Sequence, residues 1–170
     1  MEINPKLRVS TMTYISNLNT TIDLKKLFDA MNIDDVLKYI EYGALNHKGE
    51  KTSKSSKSRK SVKKKFFYNQ ITTHIFEEKI VNVKIFNNGK IQMTGVKNEK
   101  QGINTLNKLI LKMKSIEKDI LVNIITNLDL NPHNNKIAMI NTDFDCGFKI
   151  KREILHRLVT DKGYYSSFEP

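Results

Sequence analysis

Four histidines, one cysteine and a run of cations are the residues here whose types could do chemistry. His47, His74, His133 and His156 stand at no metal-ligand spacing. Cys146 is the one cysteine in 170 residues, which excludes a disulfide framework within the chain and a cysteine-rich zinc site. Asp143 and Asp145 alternate on one expected strand face as a metal pair does, a pattern two acids also reach by chance. No G-x-x-x-x-G-K-[ST] phosphate loop, G-x-G-x-x-G turn or G-x-S-x-G nucleophile elbow occurs. The expectation is a protein that is not an enzyme and holds no metal or cofactor.

The cations point to a different chemistry. Residues 48–65, KGEKTSKSSKSRKSVKKK, hold eight lysines, Arg59 and one acid, Glu50, and so carry +8 of the formal +11. Such a density favours a polyanion: nucleic acid first, an anionic membrane surface second. The run has neither apolar periodicity nor aromatics and reads as a solvated insert. It suits a phosphate-contacting arm; a solubilising or nuclear-import segment is the blander reading. Phosphorylation of its Ser and Thr residues would cancel the charge. Lysines outnumber arginines 25 to 4, which suits phosphate affinity better than bidentate base reading. Phe66 and Phe67 follow Lys63, Lys64 and Lys65 directly. No apolar run approaches the ~20 residues of a membrane span, and the polar opening MEINPKLRVS lacks a signal-peptide core, so no membrane partner is expected.

The elements that must position these residues are legible from periodicity. Residues 7–18 read as a strand. Leu24, Leu27, Phe28 and Met31 fall at i, i+3, i+4 and i+7 on one face of a short helix. Strands are expected over 35–45, ending at Gly43, and over 66–76. Residues 80–86 and 90–95 flank Asn87-Asn88-Gly89, a strong hairpin signal. Ile103, Leu106, Ile110 and Met113, widened by Leu109 and Ile116, make a helical stripe opened by Glu99. Residues 120–136 read as a short strand and a turn-rich connector, and 137–150 as another strand. Ile154, Leu155, Leu158 and Val159 form a further helical face. Strand then short helix therefore occurs twice, with Ile22 and Ile150 at equivalent points, which suggests a diverged internal repeat.

In the hairpin, Val81, Val83, Ile85, Ile91 and Met93 share an apolar face, opposite Asn82, Lys84, Phe86, Gln92 and Thr94. An antiparallel sheet with helices on one side and an open face on the other follows. Phe86 at the turn reads either as an edge residue tucked over a neighbour or as a wedge.

These segments resemble the TATA-box-binding protein family. IFNNGKIQMTGVKNEKQG is similar to its signature hairpin and helix, SNLNTTIDLKKL to its first strand and helix, and INTDFDCGFKIKREIL with YSSFEP to the start of its second repeat. The resemblance implies an α+β fold: a curved antiparallel sheet forming a saddle, helices on the convex face, the second repeat incomplete. Residues 1–119 would be the first repeat with the 48–65 insert, 120–136 a connector and 137–170 the start of the second. It implies a general transcription factor gripping the minor groove of AT-rich double-stranded DNA, with transcription initiation factors or RNA polymerase as partners; for the incomplete second repeat the readings are a fragment, another chain completing the saddle, or a degenerate relative. Phe86 and Phe67 (or Phe66) match the wedge aromatics, Thr94 a minor-groove threonine, and Asn141 the central asparagine, with Thr11 as its first-repeat counterpart. Thr13, Lys84, Gln92 and Lys63–Lys65 join this DNA face, and Glu169 a partner surface. Lys84 and Gln92 stand where the family carries Leu and Val. The implied location is a nucleus, or a viral factory or virion. The alternative is a degenerate interaction or virion-structural module that binds nucleic acid only through the basic loop.

Overall fold

The computed structural model describes residues 6–43, 46–51 and 67–167. Their order is β1 (Arg8–Asn17), α1 (Leu24–Ala30), β2 (Leu37–Tyr42), β3 (Asn46–Gly49), β4 (Gln70–Glu77), β5 (Lys79–Phe86), β6 (Lys90–Val96), α2 (Glu99–Lys114), α3 (Lys118–Leu121), β7 (His133–Asp143) and α4 (Arg152–Asp161). The fold is α+β, as expected. Seven strands make one open sheet in the order β3-β2-β4-β5-β6-β1-β7. The described residues form two compact units, 9–141 and a smaller one of 6–8 with 142–167.

The first unit holds the core. Ile71 and Ile75 on β4, Val81, Val83 and Ile85 on β5, and Ile91 and Met93 on β6 are fully buried. They share one sheet face, because β4–β5 and β5–β6 pair antiparallel in register. α1 packs over β2 and β4, and α2 over β4 and β6. α1 presents the expected stripe of Leu24, Leu27 and Phe28, all buried, with Met31 just past its end. The Asp23 side chain accepts from the Lys26 N–H at 3.0 Å and caps its start. The Asn98 side chain caps α2 in the same way through the Gln101 N–H at 2.8 Å.

Four expectations shift. β3 lies where the basic run was expected to begin, with Lys48 and Gly49 inside the strand. The apolar stretch from Ile120 is α3 and a turn, and Ile125 makes an isolated bridge to Ile22, outside the named strands. A short apolar run fits helix and strand alike until its partners decide. The 137–150 strand is displaced, running His133–Asp143. Ile103 is 41% exposed, and Gly102 and Thr105 take the buried flank of α2 instead.

Gly102 explains that rotation. A Cβ there would stand 2.9 Å from the ring root of Tyr14, which is buried under the helix. Glycine lets α2 descend onto β1. Gly102→Ala gains about 1 kcal/mol of helix propensity but overpacks a site where such insertions cost roughly 1–3 kcal/mol. The expected outcome in urea unfolding is a lower midpoint at unchanged m; an unchanged or raised midpoint would show that Tyr14 has room to move.

Candidate nucleic-acid interface

With one sheet face filled by helices, alternation sends a fixed set of side chains to the other. The strand registers align them in rows. Thr13, Thr94, Asn82, His74 and Tyr39 cross β1, β6, β5, β4 and β2; Ile15, Gln92, Lys84, Thr72, Glu41 and His47 make the next row and reach β3. Nearer the hairpin turn, Asn17 pairs with Lys90 and Phe86 with Gln70. The rows are dominated by amides, hydroxyls and cations, with Ile15 and Phe86 as apolar points.

The hairpin is held at its turn by Gly89, whose φ of +79° and approach to the Thr20 carbonyl leave no space for a Cβ. Asn87 donates its N–H to Asn69 O at 3.2 Å. This fixes the β5 end, with Phe86, against the start of β4. Phe67 is 60% exposed and lies three residues before Gln70, the partner of Phe86. Phe67 and Phe86 therefore belong to the same end of the sheet.

The candidate residues distribute as follows. Thr13, Lys84, Phe86, Gln92 and Thr94 share the outward face, although Thr13 is itself buried beside a register shift in β1. Thr11 lies on β1 with its Oγ1 buried and without a hydrogen-bond partner among the described residues. Asn141 is exposed on the neighbouring β7, where its carbonyl accepts from Ser10 Oγ at 3.1 Å. Lys63, Lys64, Lys65, Phe66 and Glu169 lie outside the described residues. The Asp143–Asp145 pair is not a strand-face pair, since β7 ends at Asp143. Asp143 takes both Arg8 Nε and Nη2 at 2.8 Å, and Asp145 accepts from the Gly147 N–H at 2.8 Å. No group of three metal-ligating side chains occurs among the described residues.

Sequence reasoning missed Asn17, Tyr39, Glu41 and His74 on this face; it placed Asn82 there, in phase with Lys84 and Phe86, without naming it a site residue. Tyr39 and Glu41 were hidden by an irregularity between Leu37 and Tyr39 that resets the alternation of β2.

No family model matches the chain. A TATA-box-binding protein-like protein of Acanthamoeba polyphaga mimivirus is 32% identical to it over 169 residues, covering 90% of this chain. This likeness supports a divergent TATA-box-binding protein-like member. The chain spans 45% of that relative's length. The helix-backed antiparallel sheet agrees with the fold expected of such a member, and the segments that carried the resemblance are β1–α1, the β5–β6 hairpin with α2, and β7–α4.

Lys48, counted among the cations of the basic run, has a structural post. Its Nζ donates to the carbonyls of Phe28, Asp29 and Met31 at 2.7, 2.9 and 2.9 Å, and lies 4.9 Å from the Phe28 ring centroid. These are carbonyls at the C-terminal end of α1, where a cation also meets the helix dipole. Lys48→Met is expected to lower stability by about 1–2 kcal/mol in chemical unfolding. Its effect on the salt dependence of polyanion binding is expected to be nil, and a reduced salt slope would place Lys48 on the ligand instead.

Proposed function

We propose that the outward sheet face is a DNA-binding surface that lies in the minor groove and nucleates transcription initiation. The observation that carries this reading is the pairing of one helix-filled face with one face of ordered hydrogen-bonding side chains, ended by Phe67 and Phe86. The minor groove presents adenine N3 and thymine O2 as acceptors. Amide N–H groups of Asn17, Asn82 and Gln92 and the Thr94 hydroxyl are donors of the matching kind. Lys84 and Lys90 supply charge for phosphates flanking the groove. An aromatic inserted at a base step unstacks it for about a few kcal/mol, and smooth bending of the site costs on the order of 1–6 kcal/mol more. Added phosphate and sheet contacts must offset both.

The family name of the mimivirus relative supports the reading, as does the concentration of positive charge in one segment. Initiation factors or RNA polymerase would then take the helix side, in a nucleus or a viral factory. The other reading, an interaction or virion-structural module, is favoured by the apolar surface of the smaller unit, where Phe144, Phe148, Ile154, Leu155 and Leu158 are each at least 46% exposed.

Titration against salt on AT-rich and GC-rich duplexes separates the two. A groove reader prefers the AT duplex at every salt concentration and bends it. A steep salt slope with no preference and no bend would leave electrostatic packaging alone. Phe86→Ala is expected to reduce the bend more than the affinity, measured by fluorescence transfer between duplex ends; equal losses would argue against a wedge. Lys84→Ala is expected to weaken all duplexes alike and reduce the magnitude of the salt slope by about 1.

A further inference from the structure

The β2–β4 end of the outward face is not open. Tyr39 is 4% and His74 5% exposed, although both point away from the helices. Their rings lie 5.0 Å apart, and His47 stacks on Tyr39 at 6.1 Å. The cover comes in part from the strand β3 and the residues after it. At Gly49 the chain takes a φ of +80° and approaches the Lys38 carbonyl so closely that a Cβ would stand 2.2 Å from it. Two residues later, Lys51 Nζ lies 5.4 Å from the Tyr39 ring centroid and 3.2 Å from Glu41 Oε2. The Tyr39 hydroxyl donates to the same oxygen at 3.0 Å. Glu41 is thus shared by two donors, and Tyr39 is held between a cation and an imidazole.

His74 is the weak point of this packing. Its Nδ1 is buried and makes no hydrogen bond among the described residues. The charged and titratable groups that face it are Tyr39 and Glu41 from β2, and His47 and Lys51 from β3 and its continuation. Asn82 lies directly across on β5, with Lys84 diagonal to it. Burial holds the imidazole below its ordinary range, and Lys51 lowers it further against an opposing pull from Glu41. The Tyr39 phenol is pushed up to about 12, by burial and by Glu41, so it stays a neutral donor throughout the range in which histidine titrates.

We propose that β3 and Lys51 form an acid-opened clasp over the sheet face, with His74 as its trigger. A proton on His74 places a second cation beside Lys51 in a site that offers it no acceptor at Nδ1. The strain is relieved when Lys51 leaves Glu41 and Tyr39 and β3 loosens from β2. The sign follows from linkage: a base more readily protonated in the open state favours that state as pH falls, by up to tenfold per pH unit between its two pKa values. Opening uncovers Tyr39 and the imidazolium on the outward face and releases Lys51 from Glu41, adding positive charge there. That last consequence rests on the DNA-binding reading; the clasp itself does not.

The experiment is amide exchange of the whole chain, expressed as protection factors, at about pH 5.5 and about pH 7.5. The β2–β3 ladder is expected to lose protection about fivefold or more at the lower pH, while the β1–β6 ladder keeps it. His74→Gln is expected to abolish the difference. Equal protection at both pH values, equal loss in both ladders, or an unchanged difference in the variant would each overturn the clasp. Because His74→Gln could disturb folding, the wild-type imidazole titration by NMR gives a second reading. Lys51→Met is expected to move that titration to higher pH, and an unmoved titration would show that the two groups are not coupled. Duplex affinity at the two pH values is measured separately. Ladder loosening without any duplex binding would remove the DNA reading and leave the clasp.

Discussion

Ile71, Ile75, Val81, Val83, Ile85, Ile91 and Met93 have no exposed surface at all, and each sits on an alternate position of its strand. A one-residue slip of β5 against β4 and β6 would turn its three aliphatic side chains to water and bring Asn82, Lys84 and Phe86 under the helices. Burying such a side chain contributes roughly 1.5–3 kcal/mol. Losing three, and burying a lysine as well, would consume most of the ~5–15 kcal/mol that holds a domain of this kind together. The register is therefore fixed by the inward face. The outward rows inherit it without contributing to it, and their residues are free to be chosen for what they contact.

That inheritance explains why the outward face was partly legible before any coordinates. The β5–β6 hairpin carries its own turn signal, so its alternation could be phased from Asn88-Gly89, and five outward residues followed. β2 carries no such signal. Its irregularity between Leu37 and Tyr39 is a backbone event that no side-chain pattern announces, and it decides that Tyr39 and Glu41 point outward. β3 was illegible for another reason. Asn-His-Lys-Gly has neither β-branched residues nor alternation, and it forms a strand because β2 offers it an edge and Lys48 is drawn to the end of α1. Tertiary partners, not propensity, place it there. The same holds for α3, where Leu121, Ile124 and Ile125 are buried in a helix and turn that their sequence does not distinguish from a strand.

The two helices on the sheet show how closely the inward face is fitted. α1 relies on its apolar stripe, a carboxylate at one end and an ammonium at the other. α2 adds a second layer: Gln101 Nε2 donates to the Glu77 carbonyl at 3.0 Å, and Glu77 itself takes Asn104 Nδ2 at 3.0 Å and pairs with Lys108. Lys108 beside it holds the Glu77 carboxyl below the usual carboxylate range, helped by Asn104 and opposed by burial. The end of β4 is thus tied to α2 by polar groups as well as by apolar contact, and this strand carries His74 and Thr72 to the outward side. A movement of α2 would be felt on that face through β4.

Charge is the remaining link between sequence and function, and the structure changes how it counts. The run 48–65 holds nine cations, yet both lysines of its described part are engaged. Lys48 closes α1, and Lys51 neutralises Glu41, the acid in the outward rows. Each is a cation that a phosphate would have to compete for. Counterion release rewards only charges that reach phosphates, with a slope near −0.9 per contact on duplex DNA. Of the run's nine cations, Lys48 and Lys51 are therefore already engaged within the fold. Lys84 and Lys90 are directed outward from the β5–β6 hairpin, set among amides and hydroxyls rather than on a dry surface. If that face meets DNA as proposed, its amide and hydroxyl donors would exchange water for base acceptors almost one for one, which contributes about 0.5–1.5 kcal/mol per bond. On the proposed reading, affinity would therefore come mainly from charge and would be steeply salt-dependent, and discrimination between duplexes would rest on how well Asn17, Asn82, Gln92 and Thr94 match the groove.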